Sequence, residues 1–113
     1  MKLANTTKNL FLAQDALIAS TPFFRMKGLL GRKTFNDGEA LVIRPCNSIH
    51  TFFMRFAIDV LFLDRQNKVI AMLNNVLPWR VSPVYWRGYS VVELPSGVIK
   101  KSETAVGDEI ILS

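Results

Sequence analysis

The chain has 113 residues, half of them hydrophobic, with 14 Lys+Arg against 9 Asp+Glu and a formal charge of +5. That excludes intrinsic disorder, which needs low hydrophobicity with high net charge. It also excludes a two-domain enzyme with an interdomain cleft, because domains usually run ~100–200 residues. One domain over residues 1–113 buries roughly two-thirds of its unfolded surface, enough for one core. The single cysteine, Cys46, excludes an internal disulfide framework and a Cys-only zinc site. No stretch approaches the ~18 apolar residues a spanning helix needs. Near the start, Lys2 and Lys8 precede Leu10-Phe11-Leu12-Ala13, but Gln14 and Asp15 interrupt what would be the apolar region of a secretory leader. A cytoplasmic location is therefore expected, and an unpaired cysteine agrees with a reducing compartment.

In chain order, Leu10–Ala19 reads as a strand pair or a bent strand, broken at Gln14-Asp15. Thr21-Pro22 is a helix start: Thr21 can cap free N–H groups, and Pro22 fits the first helical position. Phe23, Phe24, Met26, Leu29 and Leu30 follow at helical spacing, and Gly31 is a left-handed stop, giving a helix over about residues 22–30. Asn36-Asp37-Gly38 signals a turn into a strand at Glu39–Ile43, which Pro45 ends. Residues 56–64 are nearly all apolar and predict a central strand buried on both faces. The polar run Arg65-Gln66-Asn67-Lys68 turns the chain into a hairpin partner at Val69–Val76. Residues 89–94 and 109–112 supply the last strands, with an irregular or helical turn opened by Pro95-Ser96-Gly97. Strands do not alternate with helices, so a doubly wound parallel sheet is disfavoured. The expectation is mainly β (α+β): a compact antiparallel barrel or sandwich of about six short strands with one short helix packed on it.

Four blocks occur in order: Thr21-Pro22-Phe23-Phe24-Arg25-Met26-Lys27-Gly28-Leu29-Leu30-Gly31-Arg32; Met54 with Ile58-Asp59-Val60-Leu61-Phe62-Leu63-Asp64; Val92-Glu93-Leu94-Pro95-Ser96-Gly97; and Gly107-Asp108. Together they resemble the prokaryotic domain-of-unknown-function one-ninety-two family, an uncharacterised protein family, over about residues 10–112. The resemblance implies a small, mostly β fold with a helix and no established activity. Many members carry Phe-Trp-Met followed by a basic residue, Asn and Thr. Here Phe52-Phe53-Met54-Arg55 runs straight into Phe56-Ala57, so the sequence looks like a variant subgroup with Cys46-x-x-x-His50-Thr51.

Several constellations could carry chemistry. Asp59 lies in an apolar strand, where an unpaired carboxylate is costly. Arg25 and Arg32, seven residues apart and on one helix face if the helix reaches Arg32, are the expected ion-pair partners. Cys46 and His50 are four apart. In a strand they would lie ~13 Å from each other, so only a turn could join them as nucleophile and base or as zinc ligands. No third nitrogen or sulfur is available for zinc, and no metal is expected. Residues 78–89 hold both tryptophans and both tyrosines with Arg80 and Arg87, and aromatic rings beside guanidinium groups can stack on a ligand and hold an anion. Glu93 is a second carboxylate among apolar neighbours, solvated by a groove or paired with Arg80. Asp108-Glu109 reads as an exposed turn. Nucleotide-loop, hydrolase-elbow and zinc-pair motifs are missing, and no cofactor is called for.

The favoured function is a non-catalytic binding or accessory module for a small polar or anionic ligand, or a partner segment. Its contacts would be His50, Thr51, Trp79, Arg80, Trp86 and Glu93. The alternative is a small hydrolase or metal-dependent enzyme using His50 and Cys46 with Asp59 or Glu93. Single-stranded nucleic-acid binding is a weaker third class, because such readers display more basic residues along a groove.

Overall fold

The structure is a computed structural model describing residues 1–113. Eight strands form two sheets: β1 (Leu3–Asn5), β2 (Leu10–Ala13) and β8 (Ile110–Leu112) in the order β2-β1-β8, and β3 (Asp15–Ala19), β4 (Glu39–Ile43), β5 (Ile58–Leu63), β6 (Val69–Val76) and β7 (Ser90–Pro95) in the order β3-β4-β7-β5-β6. Two short helices, α1 (Pro22–Lys27) and α2 (Val98–Ser102), complete the chain. The mainly β reading holds, as a sandwich whose two sheets do not close into a barrel. No helix is long and apolar enough to cross a membrane.

The differences from the sequence reading have local causes. The three-residue β1 is too short to show a period. Leu10–Ala19 splits at Gln14 into β2 in one sheet and β3 in the other. β3 and β4 pair in parallel, with Ala16 opposite Ala40 and Ala19 opposite Ile43, which the long crossover through α1 permits. The turn after Pro95 becomes α2. The carboxylate of Asp108 is buried rather than exposed, accepting from Asn5 Nδ2, the Ala105 amide and Lys8 Nζ, each at 2.9 Å. The Asn5 donor first, then the Ala105 amide and Lys8, outweigh burial and pull this carboxyl down to about 2.

β7 lies between β4 and β5, and every residue of β5 and β7 is buried. Alternation therefore divides them between two cores. Leu61, Leu63, Val92 and Leu94 face the small sheet and pack with Leu3, Leu12 and Ile110. Val60, Phe62 and Val91 face the other way, beneath Leu29, Ile49 and Met54. That second face has no sheet over it. It is covered by three crossovers, residues 20–38, 44–57 and 77–89, each of which carries the chain from one end of the large sheet to the other.

Asp59 points to the small-sheet side. Its Oδ1 accepts from the Asn75 amide at 2.8 Å, and its Oδ2 accepts from the Gly97 and Ile99 amides at 3.0 and 2.9 Å. The carboxylate thus ties β6 and the start of α2 to β5 and satisfies N–H groups that a helix start leaves open. The expected ion pair with Arg25 and Arg32 does not form, because both arginines lie over the opposite face. The helix stops at Lys27, where Gly28 takes φ +48 and closes the turn by donating to the Phe24 carbonyl at 2.9 Å. Arg32 therefore lies outside it and pairs with Glu39 at 2.6 Å, and Arg25 Nη1 donates to the Pro45 carbonyl at 3.0 Å.

Replacing Asp59 with Ala strands three backbone donors, each worth about 1–3 kcal/mol when buried without a partner. Urea unfolding of Asp59→Ala is expected to show a loss of about 4 kcal/mol, and a loss below about 1 kcal/mol would contradict this role.

Candidate functional site

Glu93 lies on the same strand as Val91 and faces the crossover side. Leu41 and Val60 are its register partners on the two neighbouring strands. Its residue is 3% exposed, yet no protein group donates a hydrogen bond to it and no cation pairs with it. Burial in this apolar setting pushes its carboxyl up to about 7. The carboxylate forms the floor of a cleft of about 90 Å³ between the end of α1 and residues 43–54. Gly28 stands over it: a Cβ there would meet Glu93 Oε1 at 4.0 Å. Met26, Leu29, Leu30, Ile49 and Met54 make the walls largely apolar, and Arg25, Lys27, Cys46, Ser48 and His50 supply the remaining polar lining.

The 44–57 crossover brings Cys46 and His50 to one cleft by turning, as their spacing required. The Cys46 thiol donates to the Ser48 carbonyl at 3.0 Å. Burial first, and then the Glu93 charge, push its pKa up, against the opposing pull of the Ser48 contact and Arg25. A thiol held protonated is a poor nucleophile. His50 stands exposed at the mouth, its Nδ1 accepting from the Phe52 amide at 3.3 Å. Asp59 is on the far side of the sheet, so it cannot join Cys46 and His50, and no three His, Cys, Asp or Glu side chains gather closely enough to share a metal ion.

The other sequence-predicted contacts lie elsewhere on the crossover layer. Thr51 is fully buried. Its hydroxyl donates to the Leu77 carbonyl at 2.6 Å and accepts from the Arg80 amide at 2.9 Å, its carbonyl accepts from the Trp79 amide at 3.0 Å, and its amide donates to the Arg80 carbonyl at 2.9 Å. Thr51 clamps two loops together and is closed to a ligand. Trp79 packs on Phe53 with ring centroids 4.6 Å apart and on Phe52 at 5.8 Å. Arg80 turns back toward the Pro78 and Trp79 carbonyls at 3.5 Å, not toward Glu93. Trp86 is the most exposed large hydrophobic side chain, at 86%. Of the six expected contacts, His50 and Glu93 line the cleft. Arg25, Met26, Cys46 and Met54 line it too, although the sequence reading assigned Arg25 to an ion pair and gave Met26 only a place on the helix face. A carboxylate in the middle of a buried apolar strand was the available signal, and it marked Glu93 but not the elements that would cover it.

The pH dependence follows from the raised pKa. The folded state holds the Glu93 proton up to about pH 7, whereas an unfolded chain releases it near pH 4.5. The neutral acid is therefore carried without penalty at low pH, and stability falls as pH rises from about 4.5 to about 7. Glu93→Gln removes this loss. Thermal unfolding at pH 5 and pH 8 is expected to show the variant gaining on the native chain by roughly 2 kcal/mol at the higher pH, and an equal difference at both pH values would contradict the assignment.

The DUF192 family, described as "Uncharacterized ACR", matches residues 3–112. A UPF0127 protein of Pyrococcus furiosus is 40% identical over 111 residues, covering 96% of this chain and 95% of the relative. A UPF0127 protein of Thermococcus sibiricus is 35% identical over 112 residues, covering 96% of this chain and 72% of the relative. Among solved structures, a protein of unknown function from Novosphingobium aromaticivorans superposes with a TM-score of 0.79 at 19% identity, covering 86% of this chain and 74% of that one. At that identity the likeness is one of fold.

Proposed function

This chain belongs to the DUF192 family, and from that premise and the cleft geometry we infer that it is a non-catalytic binding module that takes a small polar group against the Glu93 carboxylate. The observation that carries this reading is a buried carboxylate with no donor, facing an opening. Buried polar groups are almost always partnered, and each exception asks for an explanation. A bound hydrogen-bond donor supplies one, and largely apolar walls with a few polar groups are the usual make-up of a small-molecule site. The cleft admits a group of a few heavy atoms, such as an amidine, an amine or the end of a side chain. An anion is disfavoured by the same carboxylate, which replaces the earlier expectation of a polar or anionic ligand with a donor-bearing one. The raised thiol pKa and the distance of Asp59 argue against the hydrolase alternative.

Acetamidinium is a suitable probe, because it presents two N–H donors to a carboxylate in the fork geometry such pairs favour. Titration followed by amide NMR shifts is expected to perturb residues 28, 46, 50 and 93 saturably. Binding should strengthen from pH 6 to pH 8 as Glu93 ionises, and Glu93→Gln should weaken it at least tenfold. Shifts absent at the cleft, or an affinity indifferent to both pH and the Gln replacement, would overturn the reading.

A further inference from the structure

The charge of the molecule is divided between its faces. Residues 20–38, 44–57 and 77–89, the cover over the large sheet, contain eight Lys and Arg and a single acid, Asp37, whereas the rest of the chain contains six Lys and Arg against eight Asp and Glu. The overall +5 is thus +7 on one layer and −2 on everything else. Within that layer only Arg32 is paired with a carboxylate, that of Glu39 at its border. Lys27, Lys33, Arg55, Arg80 and Arg87 are exposed without one.

The same layer holds the five most exposed apolar side chains, Trp86, Met26, Phe53, Phe23 and Val81, together with Trp79. These six are between 56% and 86% accessible. Scattered exposed hydrophobics are ordinary, but a group of this size on one face marks an interaction surface. Two of these side chains are held out at a cost. Phe53 and Trp79 have φ of +64° and +67°, a left-handed backbone that bulky residues seldom adopt and that costs on the order of 1–3 kcal/mol each. The four Thr51 hydrogen bonds hold that geometry, and the two rings pack on each other. The result is a fixed aromatic pair with Arg80 beside it and Arg55 two residues from Phe53.

We propose that this crossover layer docks on an anionic lipid surface. Aromatic and aliphatic side chains projecting from a basic face, whose one acid, Asp37, is paired with Lys101, combine the two terms of interfacial binding, apolar insertion at the headgroup boundary and attraction to anionic lipids. A second copy of the chain is a poor occupant, since two such layers would meet with like charge. Nucleic acid would use the aromatic rings and the arginines, but Met26 and Val81 offer no stacking face to a base and favour acyl chains.

Co-sedimentation of the full chain with phosphatidylcholine vesicles, with and without phosphatidylglycerol, tests the proposal. Trp79 and Trp86 are the only tryptophans, so their fluorescence reports on this layer alone. Binding to the phosphatidylglycerol vesicles at low salt, with blue-shifted emission, and its decline with added salt are expected. Arg55→Ala and Arg80→Ala should each weaken it about fivefold, and Trp79→Ser should weaken it further, whereas Lys100→Ala, outside the layer, should leave it unchanged. Failure to bind the anionic vesicles at low salt, equal binding to pure phosphatidylcholine, an equal effect of Lys100→Ala, or retention on a single-stranded oligonucleotide without retention on vesicles would overturn it.

Discussion

Two carboxylates stand one register step apart on neighbouring buried strands and meet opposite fates. Asp59 on β5 faces the small-sheet core, opposite Leu94, and three backbone amides converge on it. Glu93 on β7 is opposite Val60 and faces the crossover layer, where nothing donates to it. Period-two alternation makes the difference: one residue of offset sends the side chains to opposite faces of the sheet. The burial penalty is similar in kind for both. The fold resolves it internally for Asp59 and leaves it standing for Glu93, whose carboxyl is consequently held up to about 7.

The rest of the molecule can be read from that asymmetry. On the Asp59 side the sheet is closed by a second sheet and α2, held by the Asn5–Asp108 contacts and the Asp59 tie, and this side is built for rigidity. On the Glu93 side the cover is a layer of crossovers with one six-residue helix. Such a cover can be both complete and interrupted. Leu29, Ile49, Met54 and Tyr85 seal the apolar part of the sheet, while the end of α1 at Gly28 leaves a gap over the carboxylate. Thr51 fixes the 44–57 crossover, one wall of the gap, to the 77–89 crossover on its other side. The cleft and the charged apolar surface are thus products of the same layer.

Much of the scaffold was legible in the sequence because local signals carried it. Glu39–Ile43 and Val69–Val76 have the bounds their turn residues mark, and residues 56–64 announced a central strand through nearly continuous apolar content. The Thr21-Pro22 helix start is where it was expected, with the Phe24 amide donating to Thr21 Oγ1 at 3.3 Å. What could not be read is what depends on which face a residue meets across the chain. Asp59 was recognised as a buried carboxylate that needed partners, but local sequence does not say that its partners are the amides of residues 75, 97 and 99. Arg25 and Arg32 were credible ion-pair partners only for a helix that continued past Gly28. Thr51 looked like a ligand contact because it follows His50, and its burial comes from a loop some thirty residues downstream. Both tryptophans lie in the 77–89 loop that their prolines marked, but the hollow lies on the α1 side of His50, away from them.

Binding in the cleft turns on the ionisation of one side chain. Carbon-detected NMR titration of the Glu93 side-chain carboxyl in the unliganded protein measures it directly. A midpoint near 7 is predicted, together with a shift to lower pH when a cationic donor occupies the cleft. A midpoint in the ordinary glutamate range, unmoved by such a donor, would mean that the carboxylate is already satisfied and that the cleft has no chemical reason to bind anything.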